Sequence, residues 1–80
     1  MKLIYIEWED AFAMGNGWHT EEDIDETLKK NFIVRETGYV YDENDKYLVI
    51  ASQYAPESEQ YGNITKIPKT WIRKRKTIKL

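Results

Sequence analysis

The sequence predicts an α+β fold, either a small, strongly bent antiparallel sheet or a small barrel, with one short helix and the element order β-α-β-β-β-β. Three observations carry this expectation. Residues 2–9 alternate, with Ile4, Ile6 and Trp8 on one side and Leu3, Tyr5, Glu7 and Glu9 on the other, as a strand with one buried face requires. Residues 32–41 and 47–54 are rich in β-formers and flank the polar stretch Asp42-Glu43-Asn44-Asp45, which reads as a hairpin turn. Between the first strand and the hairpin, Thr20 stands as an N-cap before Glu21, Glu22 and Asp23, where negative charge suits the start of a helix.

The remaining elements follow in order. The loop after the first strand carries Gly15, Asn16 and Gly17. The helix is expected over residues 21–30, with Ile24 and Leu28 four apart on one side and Lys29 and Lys30 at its end. A helix that short needs a sheet to lean on. Gly38 marks a bulge or bend. The run YLVIASQY is the most apolar strand, PESEQYGN is a polar loop, and residues 64–67 form a short strand stopped by Pro68. Residues 71–80 read as the last strand, with Ile72, Ile78 and Leu80 sharing one parity and Trp71, Arg73, Arg75 and Lys79 the other.

Eighty residues make a single domain, 1–80, with a small core, which favours assembly into a homo-oligomer. The absence of cysteine excludes disulfides and thiolate metal sites. No apolar run reaches the length of a membrane span, and MKLIYIEWED lacks the apolar core of a signal peptide, so a cytoplasmic chain without membrane contact is expected. The net charge of −2 conceals a division. Residues 7–26 hold eight acids and no Lys or Arg, whereas residues 64–80 hold seven bases and no acid. Two readings stand for this division: the segments steer a charged partner, or they face each other within or between subunits.

Catalytic chemistry finds little support. His19 is the single histidine, placed to staple against Ile24, and no metalloprotease, phosphate-loop or dinucleotide motif is present. The acids of residues 21–26 spread around a helix axis, and DEND lacks the glycine and distal glutamate of a calcium loop. The expectation is a non-enzyme without metal or cofactor. Binding residues are easier to name. Trp71 shares its parity with Arg73 and Arg75, so it is expected to be exposed, a ring beside cations that suits a base and its phosphate. Lys69 precedes it, and Tyr54, with Tyr41 and Tyr61, adds stacking planes. Trp8 is assigned to the core. Trp18, at the loop–helix junction, is expected to cap the barrel and to border the ligand site.

The segment IPKTWI and the hairpin GYVYDENDKYLVIA resemble the Sm-like family of RNA-associated barrels over residues 32–80, with Ile67, Pro68, Lys69 and Ile72 on its second signature segment and Pro68-Lys69 in place of its glycine. That resemblance implies an SH3-like barrel whose connector turns the last two strands, and RNA or DNA as partner. The whole chain also resembles small proteins carried by bacteriophages and mobile elements, through WED, YLVIA and IPK-x-WI. Three functions are therefore expected as alternatives. The first is an oligomer that sequesters a nucleotide or cyclic nucleotide immune signal at Lys69, Trp71, Arg73, Arg75, Tyr54 and Trp18. The second is a nucleic-acid-binding barrel. The third is a protein adaptor or inhibitor using Leu3, Tyr5 and Trp71.

Overall fold

The computed structural model describes residues 1–80. Strand β1 (Leu3–Glu9) is followed by helix α1 (Glu21–Leu28), strands β2 (Ile33–Glu43), β3 (Tyr47–Ala55) and β4 (Gln60–Pro68), a three-residue 3-10 turn (Lys69–Trp71) and strand β5 (Ile72–Ile78). The five strands form one antiparallel sheet in the order β4-β3-β2-β1-β5. The expected α+β class and element order are therefore present, and of the two architectures it is the bent open sheet that forms. β4 and β5 are its two edges and share no ladder.

The strength of the bend follows from connectivity. In a flat sheet, five strands would hold the edges about 19 Å apart, at roughly 4.8 Å per neighbour. A 3-10 turn of three residues advances only about 6 Å. Since the turn Lys69–Trp71 joins one edge to the other, the sheet must curl until the end of β4 and the start of β5 nearly meet. Pro68 ends the β4 ladder opposite Tyr47, and the Lys69 amide donates to the Lys46 carbonyl at 2.8 Å, fixing the turn against the β2–β3 hairpin.

The concave side holds the core. Ile4, Ile6, Leu48, Ile50 and Ile67 are the fully buried large side chains, and Trp8, Val40, Trp71 and Ile72 pack around them. The alternation in β1 and the apolar run in β3 thus mark core positions as expected. Gly38 is not the bulge. It pairs with Ile4, and a Cβ there would lie 3.1 Å from the Ala51 carbonyl oxygen, so the residue is small because β3 crosses close over it. The register of β2 against β3 shifts instead at Tyr41.

Three other expectations change. PESEQYGN is not all loop: only Pro56–Glu59 turns, and β4 already begins at Gln60. The helix stops at Leu28, two residues early, because the Lys29 and Lys30 amides donate to the carbonyls of Glu26 and Thr27 in tighter 3-10 fashion. β5 does not keep one parity. Glu7 pairs with Lys74 but Trp8 with Ile72, so Arg73 is an extra residue that reverses the facing of the strand. Ile72 joins the core beside Trp8, while Ile78 lies opposite Leu3 on the convex face.

Candidate functional site

The sequence-predicted residues divide into three places. Lys69, Trp71, Arg73 and Arg75 gather at the turn between β4 and β5, and each is already engaged. The Arg75 guanidinium donates to both carboxylate oxygens of Glu43, at 2.7 and 3.0 Å, and Lys69 Nζ lies 2.7 Å from the same group. Arg73 donates to the Thr70 carbonyl at 2.7 Å and sits 3.6 Å from Glu9. Trp71 is not the exposed plane its parity suggested. The 3-10 turn takes it out of strand alternation and lays it against the core, stacked on Trp8 with 6.3 Å between centroids and 22° between planes. Trp8 in turn donates its indole N–H to Glu36 at 3.0 Å.

Glu43 is therefore a pin. From the end of β2 it ties the turn to β5 across the curl of the sheet. Arg75 first, then Lys69, holds its carboxyl at about 2, below its ordinary 4.5. A carboxylate depressed in the fold stabilises above its unfolded pKa and loses that contribution as pH falls through the folded one. Glu43→Gln should accordingly cost about 1 kcal/mol at pH 7, a modest figure because the pair is partly solvated. The difference from wild type should shrink as pH falls below 4.5, be mostly lost by pH 2 and vanish below it, as read by denaturant melts at neutral pH and at the acid end.

Trp18 is fully exposed, so it caps nothing. Its loop and helix α1 form an arm beyond the ends of β1 and β2. Thr20 caps the helix as expected, accepting from the Asp23 amide at 3.1 Å. His19, also exposed, makes its ring-nitrogen hydrogen bond to the Gly15 carbonyl. The helix buries none of its residues.

Tyr54 belongs to a third region, on the hairpin β3–β4. It stacks on Tyr61 at 4.9 Å and 19°, meets Tyr39 edge-on at 6.1 Å, and Tyr61 meets Tyr41 edge-on at 4.9 Å. Burial among these rings, then the neighbouring Tyr54, Tyr41 and Glu59, raises the Tyr61 phenol above its usual range. A shallow hollow of about 270 Å³ opens between Tyr41, Val49, Tyr61 and Ile64.

This cluster continues across the whole convex face. The strand registers place Ile64, Ala51, Tyr39, Leu3 and Ile78 opposite one another in a single row through all five strands. Paired residues share a face, so the row lies on the side away from Ile4 and Ile6. Ile64 and Tyr41 are more than half exposed, and Leu3, Tyr39 and Ile78 are half-buried. Beside the row, the Tyr5 hydroxyl donates to Glu7, which also faces Arg35 at 3.6 Å. That bond holds Glu7 below its ordinary range and Tyr5 above its own. The sequence had signalled Leu3 and Tyr5. Ile64 and Ile78 were missed because their alignment depends on the registers of β4 and β5.

No three of the His, Asp and Glu side chains converge as a metal site. No helix is long and apolar enough to cross a membrane. The chain matches no protein-family model, no curated protein and no solved structure.

Proposed function

We propose that this chain is a non-catalytic binding protein, an adaptor or inhibitor that engages another protein through the tyrosine-lined convex face of its sheet. One observation carries the reading: Ile64, Tyr39, Leu3 and Ile78 lie in one row on the face away from Ile4 and Ile6, with the small Ala51 enclosed among them, and the rings of Tyr54 and Tyr61 adjoin this face through their contacts with Tyr39 and Tyr41. Tyrosine supplies a large rigid contact with a polar tip, which suits interfaces that form and part in water. The hollow at Tyr41 and Tyr61 accepts one aliphatic or aromatic side chain, and Glu57 and Glu59 in the adjoining turn favour a partner with basic groups at its rim. The resemblance to phage-borne proteins supports a host protein as that partner and the host cytoplasm as the place of action.

The test is affinity capture from host extract followed by reconstitution with the purified partner. Tyr61→Ala and Ile64→Ser should each weaken the reconstituted complex by about 10- to 100-fold, the range of an interface anchor. If both variants bind the purified partner as wild type does, the convex face is not the contact.

A nucleotide as ligand keeps one specific observation in its favour. Gln53 and Gln60 flank the stacked Tyr54–Tyr61 pair around a cleft of about 370 Å³, offering amide donors and acceptors beside an aromatic plane. Lys69 and Arg75 are held by Glu43, and Arg73 by Glu9, at the distant turn, so this cleft suits a base more than a phosphate. A thermal shift with nucleosides or cyclic dinucleotides that Gln53→Ala abolishes would favour this reading. A salt-sensitive affinity for single-stranded RNA or DNA would instead favour a nucleic-acid binder.

A further inference from the structure

The arm between β1 and β2 presents a second surface that the convex face does not explain. Helix α1 has eight residues, too few for stability on its own in water, yet it packs along no strand. Ile24 is 39% exposed, Leu28 75% and Trp18 fully. The arm is moored by Phe12, which stacks on Phe32 at 4.0 Å and 4°. Between helix and strand ends a hollow of about 330 Å³ remains, walled by Phe12, Met14, Ile24, Leu28 and Phe32. The solvent side of the helix is of one sign. Glu26 pairs with Lys29, whereas Glu21, Glu22, Asp23 and Asp25 have no ion-pair partner.

The complementary surface lies on β5. This strand is an open edge; Lys74 and Lys76 along it, and Lys79 just past its end at Ile78, are exposed and without ion pairs. Its apolar Ile78 adjoins them. The arm leaves the body beside Trp8, which pairs with Ile72, the opposite end of the same strand. Lys76 to Lys79 therefore sit about 13–23 Å along the edge at roughly 3.3 Å per residue, away from the arm of their own chain. Two β5 edges cannot pair with each other comfortably, since lysine would meet lysine.

We propose that the acidic, apolar arm of one copy docks along the basic β5 edge of a second copy, and that the contact is made twice around a two-fold axis. Closed two-fold assemblies are the commonest oligomers, and reciprocal exchange satisfies both surfaces at once. The contact covers Ile24 and Leu28, gives α1 a sheet to lean on, and shields an edge that would otherwise recruit other chains. It reaches Ile78 at one end of the convex row but neither Tyr61 nor Ile64, so charge reversal at the arm and Tyr61→Ala at the tyrosine cluster test the two contacts separately.

Charge exchange tests it. An arm-reversed variant, Glu21→Lys with Asp25→Lys, whose side chains flank Ile24 and Leu28 on the helix, and a strand-reversed variant, Lys76→Glu with Lys79→Glu, alter only exposed side chains; circular dichroism checks that both remain folded. Native mass spectrometry and sedimentation at about 1 to 100 µM, a range suited to an electrostatically assisted contact, should find wild type dimeric and each variant monomeric. An equimolar mixture of the two variants should restore a heterodimer, with a blue shift of Trp18 emission. A wild type that stays monomeric throughout, a dimer that survives both reversals, or a mixture that stays monomeric would each overturn the proposal.

Discussion

Ile6→Ala should lower the stability of this protein by about 3 kcal/mol, within the 2–5 kcal/mol typical of such truncations. A domain of this length has only about 4–12 kcal/mol to lose. Ile6 is fully buried at the centre of β1, between β2 and β5, and it is one of five large side chains that are completely enclosed. With so few, no neighbouring layer can collapse into the vacated volume. At roughly 4–8 °C per kcal/mol for a domain this small, the melting temperature should fall by about 12–24 °C. Ile6→Val removes one methyl group and should cost about 1 kcal/mol. Thermal melts followed by circular dichroism give both values; an Ile6→Ala protein that melts within a few degrees of wild type would mean the core lies elsewhere.

Trp71→Ala should cost about 2 kcal/mol, below the 3–5 kcal/mol of a fully buried ring because this one is half-buried. The indole stacks on Trp8 and closes the core beside Ile72. The direction of this result separates two roles. An exposed ligand platform would leave stability unchanged on truncation and lose binding. A core lid loses stability, and binding at the convex face persists in whatever fraction remains folded. Denaturant titration followed by far-ultraviolet dichroism reads the first, and titration of the purified partner below the unfolding transition reads the second.

How much of this was written in the sequence depends on how local each signal was. Ile4, Ile6 and Trp8 announce a half-buried strand by themselves, and Thr20 with its following acids announces a helix start. Those needed no partner. The errors came where facing is decided elsewhere. In β5, the bulge at Arg73 inverts the strand halfway, so counting alternate residues from Trp71 to Leu80 assigns the wrong sides. The first residues of β4 look like loop because Gln60, Gly62 and Asn63 carry no apolar stripe; pairing with β3, not burial, makes them a strand. Asn63 even adopts a left-handed backbone, which asparagine tolerates better than most residues.

The candidate site shows the same limit. Lys69, Arg73 and Arg75 read as free cations until the fold brings Glu43 and Glu9 to them, and Glu43 and Arg75 lie 32 positions apart. Composition gave the charge of each half, but not which charges meet. The tyrosine cluster was visible as a surplus of aromatics. Its continuity with Leu3 and Ile78 is a property of register across five strands, which no window along the chain can contain.

The pairing of Leu3 with Ile78 joins nearly the two extremes of the described chain. Loop closure on that scale is slow to achieve, and contacts so distant in sequence form late. During synthesis β1 emerges first, yet one of its edges must wait for residues 72–78 to leave the ribosome. Until then Leu3 and Tyr5 are flanked on one side only, and the nascent sheet has β1 as an open apolar edge. Lysines 74 and 76 then arrive as the final border of the sheet, replacing an edge prone to stick with one that repels its own kind. Of the five strands, the last in chain order is thus also the one that covers the open edge of β1.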